Sequence, residues 1–310
     1  MIISIVIPCY NVAKHISHVI KNLPENISFI ITVDDCSTDD TECIIKQIQR
    51  GNDKVFYIKH ETNQGVGGAM ITGYHKSIEL GSDITIKMDG DDQMDPACIP
   101  SLLKPLIENK ADFTKGNRFR DFKALKNMPV FRRIGNLGLS FLIKAASGYW
   151  NIFDPVNGFT AIKNDTLKNI NFTRIHKRYF FETSMLIELY HADAVVRDVP
   201  MKARYGDEVS GLSKRKVMLE FPPKLFVAFF RRIILKYFLY EFNIASVYML
   251  FGFPLFVLGV VYGLVNFFKY TSSHIGAPTG TVVIPTLLII LGFQLLLSAA
   301  NYDITNYPKR

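Results

Sequence analysis

Cysteine is scarce in this sequence: Cys9, Cys36, Cys43 and Cys98 are the only four in 310 residues, and no two stand in a CxxC spacing. That excludes a zinc ribbon, a dithiol redox motif and a disulfide framework, and the thiols read as small buried hydrophobes of a reducing compartment. No glycine loop runs into GK[ST], so a phosphate-cradling P-loop is absent. The apolar opening "MIISIVIPCYN" lacks a basic n-region and reads as a first strand, not a secretory leader. Acid is in deficit, with 28 Asp plus Glu against 36 Lys plus Arg and a formal net charge of +8. Such a balance favours phosphate-rich ligands or an anionic membrane face. Nucleic acid is not the expected partner, because the cations gather beside long apolar runs and form no stacking platform with aromatics.

Those apolar runs are the most conspicuous feature present. Residues 244–268 ("IASVYMLFGFPLFVLGVVYGLVNFF") and 281–300 ("TVVIPTLLIILGFQLLLSAA") contain no charged residue. Each reaches the roughly 20 residues that a helix needs to cross a bilayer. Pro254 and Pro285 are tolerated in such helices. Lys224, Arg231, Arg232 and Lys236 flank the first run and Lys309 and Arg310 follow the second, whereas the connection "KYTSSHIGAPTG" holds one Lys and one His. The positive-inside rule puts both flanks in the cytoplasm. Between them and the rest of the chain, "FPPKLFVAFFRRIILKYFLY" (221–240) mixes large apolar residues with four cations, as an amphipathic helix on anionic headgroups does, and "SKRK" (213–216) adds to that basic surface. The division expected is therefore 1–212, a globular domain; 213–243, an interfacial segment; and 244–310, a two-helix anchor.

The first 120 or so residues alternate short β-rich runs, "ISIVIP", "FIITVDD", "VFYIKH" and "ITIKMDG", with segments of helical composition. An α/β fold with a mostly parallel sheet follows, and such sheets bind ligands at the carboxyl ends of their strands. Unusual residues gather at those ends. In "VDDCSTDDT", Ser37 and Asp40 have capping-box spacing, while Asp34 and Asp35 occupy the last strand positions, where a base or ribose is within reach. "NQGVGGA" (63–69) lacks the full dinucleotide fingerprint and by itself reads as a plain turn. In "MDGDDQMDP", Asp89 and Asp91 flank Gly90 and point to one side of an extended segment. Two hard oxygen ligands so placed suit Mg²⁺ or Mn²⁺ completed by water and diphosphate. Asp95 before Pro96 starts a turn or helix. His15 and His18, three apart, read as an exposed helix face rather than a metal site.

"IPCYN", "VDDCSTDDT", "NQGVGGA" and "MDGDDQMDP" together resemble the motif series of family 2 glycosyltransferases. Further on, "GNRF" (116–119), "FRRIGN" (131–136), "DPVNGF" (154–159) and "DVPMKARYGDEVSGLSK" (198–214) resemble the second half of polyprenyl-phosphate glycosyltransferases, the dolichol-phosphate mannose synthase group. The paired apolar runs match its membrane-anchored bacterial members. What the resemblance implies is a GT-A nucleotide-sugar domain with Asp34 and Asp35 at the nucleobase, Pro8 and Tyr10 lining the nucleoside pocket and Gly65 in the donor loop. It puts Asp89, Asp91 and Gln93 around the metal, and Arg118, Arg132 or Arg133, and Arg204 around an acceptor phosphate, with Lys214 a looser candidate. The family's "DADLQ" is "DGDDQ" here, its "SGF" is "NGF" and its "GxSK" is the longer "GDEVSGLSK".

The implied reaction is inverting, metal-assisted transfer from a UDP or GDP sugar to a polyprenyl phosphate, on the cytoplasmic side of an inner (plasma) membrane, by a homo-oligomer. A phosphate acceptor is already largely anionic, its second pKa being near about 6, and needs no strong base. A hydroxyl acceptor on a lipid-linked glycan does need one, and Glu182 in "FFETSML" leads there, ahead of Asp154 and Asp198. Glu182 as a helix brace, and the whole chain as a non-catalytic membrane scaffold, are the remaining readings.

Overall fold

A computed structural model describes residues 1–118, 130–201 and 214–309, with the backbone alone at 130–134, 136 and 214–218. It divides into two compact units, Met1–Phe229 with Pro308–Arg310, and Phe230–Tyr307. The division falls inside the segment expected to be interfacial.

Among the described residues of the first unit, seven strands form one sheet: β1 (Ile3–Cys9), β2 (Phe29–Asp34), β3 (Val55–Lys59), β4 (Ile84–Lys87), β5 (Phe113–Asn117), β6 (Thr160–Lys163) and β7 (Val196–Pro200). Their order is β3-β2-β1-β4-β6-β5-β7. All run parallel except β6, which is antiparallel to both β4 and β5. The helices between them are α1 (Ile16–Lys21), α2 (Thr41–Arg50), α3 (Val66–Glu79), α4 (Ile99–Ile107), α5 (Val130–Ser147), α6 (Asn164–Lys168) and α7 (Phe181–His191).

Strand periodicity of two divides the core between the faces of the sheet. Ile5 and Ile7 of β1 join Ile16, Val19, Ile45, Leu102 and Leu106 on the face covered by α1, α2 and α4. Val6 points the other way, to Met70, Tyr74, Ile143, Leu186 and Leu189 of α3, α5 and α7. Gly73 lets α3 approach closely, since a Cβ there would strike Val6. With both faces covered, the polar groups of this unit concentrate where the strands end.

The second unit contains α9 (Ile244–Ser272) and α10 (Thr279–Thr305), both long and apolar enough to cross a membrane. They are preceded by α8 (Lys214–Ile234), whose last turn belongs to this unit, and by a wide π-type turn, Leu235–Tyr240. Asn243 caps α9 by accepting from Ala245 N at 2.9 Å, and Ser246 Oγ accepts from Asn243 N at 3.0 Å. The two long helices pack through small residues: a Cβ on Gly259 would lie 2.9 Å from Ile289 N, and one on Gly292 would strike the backbone of Phe256. Gly252 and Gly259 are thus used within the hairpin.

Of the cations expected on the lipid-facing surface, Arg232 is fully buried. It makes a two-pronged ion pair with Asp303, 2.6 and 2.9 Å, and Tyr237 donates to the same carboxylate at 2.7 Å. The physical reason is Asp303 near the end of an apolar helix. A carboxylate there needs a planar, permanently charged partner more than headgroups need a fourth cation.

Candidate active site

Because β1, β2, β4 and β5 point the same way, their carboxyl ends share one edge, and every motif singled out in the first 120 residues opens there. At the β1–β2 corner, Asn11 (φ 55°) and Cys36 (φ 66°) both take left-handed backbone. Asn11 Oδ1 accepts from Thr38 N at 2.8 Å, and Asn11 N donates to Ser37 Oγ at 3.0 Å. Ser37 therefore ties two loops together instead of forming a capping box. Asp39 takes over the helix start, accepting from Thr41 N at 3.1 Å. Tyr10 stands exposed above the corner.

Asp34 and Asp35 are both buried and turned inward. Asp34 accepts from Ser37 N and from the Tyr57 hydroxyl, each at 2.9 Å. Burial, with Asp34 adding, pushes the Tyr57 phenol and the Cys9 thiol well up, so both stay protonated. Asp35 accepts from Gln64 N at 2.9 Å and Gly65 N at 2.7 Å, and lies 2.7 Å from Nδ1 of His60, whose Nε2 is 2.9 Å from Thr72 Oγ1. The two aspartates thus tie the end of β2 to the Ser37 turn, to Tyr57 and to the glycine loop.

The glycine loop is not a plain turn. Gly65 sits at φ 87°, and a Cβ there would be 2.6 Å from the carbonyl of Lys177; one on Gly67 would strike that of His176. Gly68 N donates to Lys177 O at 3.1 Å, and Lys177 Nζ reaches Gln64 Oε1 at 3.0 Å. The glycines are needed because a second backbone segment, 176–178, lies against the first turn of α3. Lys177 and Arg178 are exposed at that seam.

At the end of β4, Lys87 is 1% exposed, and its ammonium meets Asp89 Oδ1 at 2.6 Å and Glu182 Oε1 at 3.6 Å. Glu182 lies in the first turn of α7, so this lysine brings together two sequence-expected site residues that are 93 positions apart in the chain. Burial draws its pKa down, but Asp89 and Glu182 outweigh that and hold it above the usual lysine value. Gly158, the glycine of "NGF", leaves room here: a Cβ would lie 2.5 Å from Lys87 Nζ and 2.8 Å from Asp89 Oδ2. Asp91 Oδ1 accepts from Gln93 N at 3.1 Å. Asp92, at φ 60°, turns aside to meet His18 Nδ1 at 3.0 Å. Asp95 accepts from Ala97 N at 3.0 Å and starts the following short helix. No cluster of three or more His, Cys, Asp or Glu appears among the described residues. Two carboxylates flanking Gly90 nonetheless fit a small hard cation that keeps waters and takes its remaining oxygens from a diphosphate.

The β5 side carries a second polar network. Arg118 pairs with the fully buried Asp154, Nε at 2.8 Å and Nη2 at 3.2 Å. Asp198 accepts from Phe153 N at 2.6 Å and Asn117 Nδ2 at 3.0 Å, and Asn157 donates to Gly116 O at 2.8 Å. Lys115 donates to the Asn157 carbonyl. Burial pulls Lys115 down to about 8 and pushes Asp198 up to about 6. The "DPVNGF" loop is therefore held between Arg118 on one side and Lys87 with Asp89 on the other. Arg132 and Arg133 lie on α5 with side chains outside the described residues, and Arg204 lies outside them altogether, as does most of the "GDEVSGLSK" segment. Sequence reasoning passed over Lys87, Lys115, His60 and Lys177; for Lys87 the available signal was a lysine at the end of a β-rich run, "ITIK".

This architecture is shared with solved glycosyltransferases of GT-A type. Glucosyl-3-phosphoglycerate synthase from Mycobacterium tuberculosis, solved with UDP, superposes with a TM-score of 0.53 over 74% of this chain and 79% of that one, at 20% identity. The same enzyme solved with Mn²⁺, UDP-glucose and phosphoglyceric acid gives 0.52 over the same shares. The chain belongs to glycosyl transferase family 2, which residues 4–170 match. A UDP-N-acetylglucosamine–dolichyl-phosphate N-acetylglucosaminyltransferase of Methanococcus voltae is 36% identical across 76% of this chain and 96% of its own. An undecaprenyl-phosphate mannosyltransferase of Micrococcus luteus is 27% identical across 63% and 81%. The protein is accordingly a transferase of sugars.

Proposed function

We propose that this transferase moves a sugar, with inversion, from a nucleotide diphosphate sugar to a membrane polyprenyl phosphate on the cytoplasmic face. The observation that carries the reading is the 36% identity, over most of both chains, to a dolichyl-phosphate N-acetylglucosaminyltransferase. That relative and the UDP-bound synthase favour UDP over GDP as the carrier. The two apolar helices and the cations flanking them support a membrane-spanning hairpin with its catalytic unit in the cytoplasm.

In this reading Tyr10 and Pro8 border the base, and Asp34 and Asp35 keep that pocket in shape. Asp89 and Asp91, with Gln93 beside them, hold Mg²⁺ or Mn²⁺, which neutralises the charge developing on the departing nucleotide diphosphate. Arg118, fixed by Asp154, is one candidate for the acceptor phosphate, and Arg132, Arg133 and Arg204 are the others. Glu182 is engaged by the buried Lys87 ammonium at 3.6 Å, which favours its role as a brace beside the site over that of a base for a hydroxyl acceptor.

Incubating the full chain in nanodiscs with radiolabelled UDP sugar and polyprenyl phosphate should move label into the organic phase, and EDTA should stop it. Label appearing only when a lipid-linked glycan replaces polyprenyl phosphate would establish the hydroxyl reading instead. A GDP sugar used in place of the UDP sugar tests the carrier.

A further inference from the structure

The Lys87 ammonium is a buried charge that the reaction just described does not use. It makes a tight pair with Asp89 at 2.6 Å and a loose one with Glu182 at 3.6 Å, from the end of a flexible four-carbon stem. The space around it is kept by Gly158, where a Cβ would lie 2.5 Å from the ammonium. A lysine is a point charge with rotatable donors, so it can change partners with little movement of its stem. Asp89 is also one of the two carboxylates that fit a divalent cation, and a cation bound to its other oxygen would stand close to the Lys87 ammonium and repel it.

We propose that Lys87 is a positioning residue that occupies Asp89 in the donor-free enzyme and transfers to Glu182 when the donor and its cation arrive. The lysine remains charged throughout, and no proton moves. Before the donor binds it prevents Asp89 and Glu182 from facing each other as unpaired anions. Afterwards its charge lies on the α7 side of the site and Asp89 is released. Such an exchange makes the metal site weak when empty and complete only with the nucleotide present, which ties cation binding to donor binding. Glu182 is then the residue that receives the lysine, a role it fills with either kind of acceptor.

This inference rests on the metal reading above, and the two can fail separately. Mn²⁺ binding to the full chain in nanodiscs is counted by electron paramagnetic resonance, with and without UDP. Removing the competing charge in Lys87→Met should tighten Mn²⁺ binding without UDP by about tenfold. Removing the alternative partner in Glu182→Gln should weaken it by a similar factor. Both variants should show a smaller tightening of Mn²⁺ by UDP than the native chain, leaving only the part that direct ligation by the diphosphate supplies. Lys87→Met binding Mn²⁺ no more tightly, or Glu182→Gln binding it no more weakly, overturns the exchange. Should Lys87→Met fail to fold, Glu182→Gln decides alone. A native chain that binds no Mn²⁺ even with UDP removes the metal reading and this inference with it.

Discussion

The two units each bury one strong cation against carboxylate, and they do so differently. In the helical unit Arg232 engages Asp303 through two parallel bonds, with Tyr237 completing the acceptor. A planar fork held at two points has one geometry, and its effect is to lock the end of α10 to the last turn of α8. In the sheet unit Lys87 has a near and a far partner, and Asp89 remains about a third exposed. The comparison teaches that burial alone does not make an ion pair structural. The number of contact points and the access of water to one partner decide whether the charge can move.

The largest effect is expected where the lock is complete. Arg232→Met leaves Asp303 buried without its cation and should cost about 3–5 kcal/mol, read as the unfolding midpoint of the helical unit in detergent. Lys87→Met should cost less than half of that, because Asp89 can turn to water. Equal losses would erase the distinction drawn between the two sites. Next comes Asp35→Ala, which frees Gln64 N, Gly65 N and His60 together. A loss of about 2–3 kcal/mol is expected, with UDP affinity by calorimetry falling in step. Gly67→Ala should follow at about 1–3 kcal/mol, because the new methyl meets a backbone carbonyl that cannot rotate away. An unchanged melting temperature there would mean that segment 176–178 does not lie on the glycine loop.

The smallest effect is one of pH. Asp198 is an acid raised by burial to about 6, so the folded chain binds more protons than the unfolded one between about 4 and 6. Its contribution therefore favours folding at the acid end of that window and fades as pH rises through it. Lys115, lowered to about 8, binds fewer protons when folded and favours folding as pH rises from about 8 to about 10.5. Asp198→Asn should raise the melting temperature by a few degrees at pH 7 relative to pH 4.5, measured as the difference from the native chain. No pH dependence in that difference would contradict the raised value.

The periodic features of the fold were legible in the sequence. The β-rich runs "ISIVIP" and "FIITVDD" marked β1 and β2 almost to the residue, and two uncharged runs marked α9 and α10. The antiparallel β6 gave no such signal, since "TAIK" is four residues long and resembles any buried strand. Within the candidate site, the motifs put Asp34, Asp35, Asp89 and Asp91 at or just past the ends of β2 and β4 but did not show what they touch. His60, Lys87 and Lys177 reach their partners across 25, 95 and 113 positions of sequence, and nothing local records such pairings. For the same reason Gly65 and Gly67 looked like loop residues: the carbonyls that demand them are more than a hundred positions away. Asp92 is a further case, since the left-handed turn that directs it to His18 follows from backbone geometry and not from residue type.

His60 has one more use. Both of its ring nitrogens are engaged, one by the aspartate that holds the glycine loop and the other by Thr72 on α3, while the ring itself is buried. That makes it a built-in spectroscopic gauge. In nitrogen-15-labelled protein the ring shifts of His60 would register any tilt of the loop on adding nucleotide, with no residue of the site altered.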